Sequence, residues 1–157
     1  MKGRVLIIAG SDSGGGAGIQ ADIKTATALG GYAATAVTAL TAQNTKGVQG
    51  VMPVPPGFIA EQMRAVLSDI GADAIKTGML YDEHVVDAVC DVVKHEAPDI
   101  PLIVDTVMVA KGGASLLSNA AASRLHDRLM PMANLITPNI PEAEALTGLR
   151  IRDEADM

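Results

Sequence analysis

The chain has 157 residues and a formal net charge of −6, with 48% apolar and 19% charged residues. That balance is globular rather than disordered. An acidic chain whose only aromatics are Tyr32, Phe58 and Tyr81 lacks the basic surface and the stacking platforms that nucleic acid binding needs. A domain of this length buries roughly 70% of its unfolded surface, so a core of Ala, Val, Leu, Ile and Met is expected.

Cys90 is the single cysteine, which excludes an intrachain disulfide and fits a reducing cytosol. The apolar run VLIIA near the N-terminus is too short for export. No stretch has the length needed to span a bilayer. A soluble, cytoplasmic protein is expected.

In chain order, Val5 to Gly10 is apolar throughout and bounded by glycines, which predicts a strand covered on both faces. Residues 19–29 predict a helix stopped at Gly30, and 33–40 a second strand. Residues 57–70 predict a helix with Ile59, Met63, Val66, Leu67 and Ile70 on one face and Glu61, Arg64 and Ser68 opposite. A third strand covers 74–79. Asp82 then suits an N-cap for a helix with a stripe of Val85, Val86, Val89, Val92 and Val93. A fourth strand lies at 102–105, Ser118 or Asn119 caps a helix carrying Leu125 and Leu129, and 134–137 is a fifth strand. Pro141 suits the first turn of a last helix. Alternating strands and helices predict βαβ units around a largely parallel sheet. Ligands of such sheets bind at the carboxyl ends of the strands, so all five strand ends are expected to form one rim.

The residues at that rim are small or polar. Gly10 to Asp22 reads GSDSGGGAGIQAD. It is not a P-loop, because no Gly-Lys-Ser/Thr follows. It is not the dinucleotide fingerprint, because Ile19 stands where the third glycine belongs. Four glycines from Gly14 to Gly18 exceed what a turn needs, which favours close approach of a polar or anionic ligand near the helix N-terminus. Gln43 can serve the edge of a neutral heterocycle, although spacing alone favours a solvated loop amide. Met79 can wall a flat ring, although spacing alone favours core. Lys76 points to the rim, pairs with a carboxylate or reaches solvent. Asp105 ends an apolar strand, where a carboxylate needs a partner. Lys111 sits in a glycine-containing loop. Asn139 and Glu142 read equally as a site for metal and phosphate, since hard oxygen ligands suit magnesium, or as a helix capping box. His84, His95 and His126 have no ligand spacing and are expected on the surface.

Together, AGIQADIKTATALGGY, TAQNTKGVQ, KTGML, VDTVMVAKGG and LITPNIPEAEAL resemble hydroxymethylpyrimidine/phosphomethylpyrimidine kinases of the ribokinase-like superfamily, over essentially the whole chain. The resemblance implies a three-layer αβα fold. It also implies transfer from ATP, with Mg2+, to 4-amino-5-hydroxymethyl-2-methylpyrimidine and then to its monophosphate in thiamine biosynthesis. It places Gln43 on the pyrimidine edge, Met79 and Val107 on the ring, and Gly10 and Asp22 at the pocket border. Asp105 falls near the transferred phosphate, and Asn139 and Glu142 organise phosphate and magnesium, Glu142 through water. Residues 1–157 would form one partial domain lacking the C-terminal half, with its Gly-Thr-Gly anion hole and catalytic base. The chain alone is therefore expected to be nearly inactive, and to form a homodimer or be marginally soluble. The rival readings are a pyridoxal-type vitamin kinase and a non-catalytic pyrimidine-binding module.

Overall fold

A computed structural model describes residues 2–107 and 118–156. The elements run β1 (Arg4–Asp12), α1 (Gly18–Ala28), β2 (Tyr32–Asn44), β3 (Gly47–Pro53), α2 (Pro56–Asp69), β4 (Ala74–Thr77), α3 (Glu83–Glu96), β5 (Leu102–Val104), α4 (Asn119–Arg124), β6 (Leu135–Ile136) and α5 (Ile140–Thr147). They build one six-stranded sheet in the order β3-β2-β1-β4-β5-β6. Every pairing is parallel except β2 with β3. The expected α/β class and layered architecture are present.

Alternation along β1 separates two cores. Leu6 and Ile8 face one way, into the large cluster with Ile59 and Met63 of α2 and the valines of α3. Ile7 and Ala9 face the other way, against Ile19 and Ile23 of α1. One strand thus buries both faces, which is why it reads as an unbroken apolar run. The α3 stripe is as expected: Val85, Val86, Val89, Val92 and Val93 are all buried, and Asp82 accepts a hydrogen bond from Val85 N. Ser118 fills the corresponding cap of α4 by accepting from Ala121 N. The helix then widens to a π-type turn over Leu125–Leu129, which keeps both leucines buried.

The structure departs from the sequence reading at the second strand. β2 does not stop near Leu40 but runs to Asn44, turns at Thr45 and Lys46, and returns as antiparallel β3. The stretch read as a loop is a hairpin. Below it the β2 edge is closed differently: Gln62 of α2 accepts from Val37 N and donates to Val37 O. Those backbone groups would otherwise lack a strand partner. The three histidines are exposed, as expected.

The strand order reverses at β1. The chain first crosses from β1 to β2, and later strands accumulate on the β4 side. Open α/β sheets bind ligands at such a switch point.

Candidate active site

A cavity of about 580 Å³ opens over the carboxyl ends of β1, β2, β4 and β5. It is lined by Gly10, Asp12, Asp22, Gln43, Lys76, Met79, Asp105 and Val107, among others. Six of the sequence-derived candidates, Gly10, Asp22, Gln43, Met79, Asp105 and Val107, are therefore neighbours in one hollow.

Asn139 and Glu142 are not among its walls: β6 runs parallel to β5, so its carboxyl end stands on the same edge of the sheet, but the cavity is lined from four of the five expected strand ends. β6 lies at the sheet edge beyond β5, and the two side chains close on each other. Asn139 accepts from Glu142 N at 3.0 Å, and Glu142 Oε2 accepts from Asn139 N at 3.1 Å, a complete capping box. Thr106 Oγ1 also donates to Glu142 Oε2 at 3.0 Å, and the carboxylate is only 6% exposed. Asn139 borders a separate hollow of about 300 Å³ with Ile140, Leu149 and Ile151. Lys111 and the glycines beside it lie outside the described residues.

The glycine loop is built around a carboxylate that the sequence placed at the first strand end but gave no role. Asp12 ends β1, is 6% exposed, and accepts hydrogen bonds from Gly14 N, Gly16 N and Ala17 N at 2.7, 2.9 and 2.8 Å. Ala17 caps α1 with no side-chain bond of its own. The Asp12 carboxylate therefore supplies the negative charge that a helix start favours. The amides expected to receive an anionic ligand are already filled from within. Gln20 accepts from Asp12 N and donates to Ser11 Oγ. Gly18 is required here, because at φ +55° an added Cβ would fall 2.3 Å from Gly10 O. Gly10 leaves room for Met79: a Cβ there would sit 2.6 Å from Met79 Cε.

The hairpin supplies the opposite wall. The Ser13 hydroxyl donates to Gln43 O and accepts from Gln43 N, both at 2.8 Å, tying the loop to β2. Thr41 Oγ1 lies 2.9 Å from Ser11 O and 3.2 Å from Gln43 Oε1, which steadies the carboxamide. Met79 is positioned by its carbonyl, which accepts from the buried Thr38 hydroxyl at 2.6 Å.

Lys76, left with three possible roles by the sequence, pairs with carboxylates. Its Nζ lies 2.8 Å from Asp22 Oδ2 and 3.1 Å from Asp105 Oδ2. Asp105 thereby has the partner its position demands. Among the described residues no cluster of three or more His, Cys, Asp or Glu could hold a metal ion. No helix among them is long and apolar enough to cross a membrane.

A family model for phosphomethylpyrimidine kinase matches residues 12–157. The chain belongs to the phosphomethylpyrimidine kinase family. It is 50% identical over 151 residues to a hydroxymethylpyrimidine/phosphomethylpyrimidine kinase of Haemophilus influenzae, covering 96% of this chain and 56% of that protein. The crystal structure of phosphomethylpyrimidine kinase from Clostridium difficile superposes with a TM-score of 0.90 at 46% identity, over 98% of this chain and 66% of that one. A pyridoxal kinase from Staphylococcus aureus, solved with AMP-PCP and pyridoxal, superposes at 0.82 with 35% identity, over 98% of this chain and 54% of that one. Relative to these phosphomethylpyrimidine kinase family members and their structural neighbours, the chain spans about half to two thirds of their length.

Proposed function

We propose that the cavity binds 4-amino-5-hydroxymethyl-2-methylpyrimidine and its monophosphate, and that the protein phosphorylates them with ATP in thiamine biosynthesis. The observation that carries this reading is the pairing of walls in one hollow: the Gln43 carboxamide beside the apolar Met79 and Val107. An amide that both donates and accepts suits the edge of a neutral aminopyrimidine, and the thioether and isopropyl groups suit its faces. The filled glycine loop supports the same reading, because a nest occupied by Asp12 favours a neutral ring over a phosphate at that wall.

Phosphoryl transfer needs more than a ring site; it rests on positioning and on stabilising charge in the transition state. Among the described residues lining the cavity, the titratable groups Asp12, Asp22, Lys76 and Asp105 all have partners. None stands free as a base for the hydroxymethyl group. In this reading the 157 residues bind the pyrimidine and turn over slowly on their own. Asp105 is the cavity residue nearest in role to the transferred phosphate. Magnesium would supply charge neutralisation on the nucleotide phosphates, and Glu142 is the residue that would hold it, through water, in keeping with the few protein ligands this ion takes. A homodimer belongs to the same proposal. The cross-strand partners Leu40 and Met52 are 48% and 68% exposed and offer an apolar surface for it; sedimentation equilibrium of wild type against M52E tests it.

Calorimetric titration tests the function. The aminopyrimidine should bind the chain, pyridoxal should bind more weakly, and Q43A should lose about tenfold for the pyrimidine, the worth of a hydrogen bond of about 1.4 kcal/mol. Absence of pyrimidine binding, or preference for pyridoxal, would overturn the reading.

A further inference from the structure

Lys76 stands in the middle of the site and has no role in the reading above. Its strand neighbours Ile75 and Thr77 are fully buried, Ile75 in the cluster with α2 and α3, so alternation turns Lys76 towards α1 and the cavity. There it joins two elements: Asp22 comes from the second turn of α1, and Asp105 follows β5. Each carboxylate meets the ammonium through Oδ2 and keeps Oδ1 as a second acceptor, on a side chain that lines the cavity. Lys76 is the one cation among the described residues of the lining. Asp12, the third carboxylate there, is spent on loop amides, and Lys24 donates to Gly15 O instead of joining the group.

We propose that Lys76 is a positioning residue: it is the shared counter-ion that lets Asp22 and Asp105 stand side by side as a two-acceptor floor for ligand N–H and O–H groups. The inference rests on the proposed pyrimidine reading of the cavity. Two carboxylates that lose their common cation repel each other, and that repulsion favours uptake of a proton by one of them. One acceptor then becomes a donor, and the ligand's own donor meets it badly.

The experiment compares wild type, K76M and K76M/D105N in titrations with the aminopyrimidine from about pH 5.5 to about pH 8.5, each affinity taken relative to wild type so that ionisation of the ligand cancels. K76M should bind about tenfold more weakly near neutrality, the loss of roughly one hydrogen bond. Its deficit should narrow as pH rises and that proton leaves. K76M/D105N, with one carboxylate, should show a deficit that does not change with pH. Equal binding by K76M, or a deficit of constant size across the range, overturns the proposal. A second readout needs no ligand. The urea midpoint of K76M relative to wild type should fall as pH rises, because repulsion between the carboxylates grows; a constant offset overturns the proposal. If wild type binds no pyrimidine, the functional reading fails while this second readout still decides the electrostatic role. If K76M does not fold, D22N serves: it should weaken pyrimidine binding several-fold, and unchanged binding overturns the proposal.

Discussion

Replacing Asp12 by alanine tests whether the glycine loop is held from within. The substitution deletes three hydrogen bonds of 2.7, 2.9 and 2.8 Å, from the amides of Gly14, Gly16 and Ala17. Bonds to a charged group contribute about 1.5–3 kcal/mol each when their partners stay buried. Here the glycine and alanine donors are exposed, so water re-solvates them, and each bond is worth nearer 0.5–1 kcal/mol. The expected loss is about 1.5–3 kcal/mol, which at a typical urea dependence lowers the midpoint by about 1 M. Asparagine refines the test. Its one oxygen can face either Gly14 or the pair Gly16 and Ala17, and its NH2 then meets the remaining donor. D12N should therefore lie between wild type and D12A. Urea denaturation followed by circular dichroism measures all three. A D12A midpoint indistinguishable from wild type, or a D12N midpoint below that of D12A, would refute the reasoning.

Three further outcomes follow from the same coordinates. G18A forces an L-residue to φ +55° with its Cβ 2.3 Å from Gly10 O; left-handed strain of about 1–2 kcal/mol plus that contact should lower Tm by about 6 °C or more, read by a thermal melt. Cys90 is 1% exposed, and burial pushes its thiol up to about 11, so a thiol reagent near pH 8 should label the chain only after denaturant is added; rapid labelling of the native protein contradicts this. The hydrogen bond from the Arg4 side chain holds Asp73 down at about 2, below its ordinary 3.8. A depressed folded value means that the stabilisation is complete above the unfolded value and disappears as pH falls through about 2. D73N should therefore differ from wild type in urea midpoint at neutral pH, and the gap should shrink between about pH 4 and about pH 2.

Much of this architecture is legible without coordinates because burial leaves a pattern. β1 is covered on both faces and reads as an apolar run, and the α3 valines recur at helical spacing because one face meets the core. The β2–β3 hairpin left no such trace. β3 is mostly exposed along its length, so Gly47 to Pro53 has no buried set to impose an alternation, and Thr45-Lys46 is not a typical two-residue hairpin turn. The site divides similarly. Residues at strand ends could be collected by position, and five of them share the cavity, joined by Asp22 of α1. The bond between Lys76 and Asp22 joins residues 54 apart in the chain, and no local spacing encodes it. Asp12 was visible as a strand-end carboxylate, but its partners are backbone amides, which carry no residue signature. Asn139 and Glu142 show the converse limit: one three-residue spacing serves a cap and a phosphate site alike, and only the bond lengths establish that the cap is formed.

A loop that satisfies its own amides through Asp12, and is pinned by Ser13 to the hairpin and by Lys24 to Gly15 O, is rigid before any ligand arrives. Ordering entropy is then charged to folding and not to association. The heat capacity of binding should consequently reflect little beyond the apolar area removed at Met79 and Val107, and arrival of the ligand should be limited by access to the mouth instead of by closure of the wall.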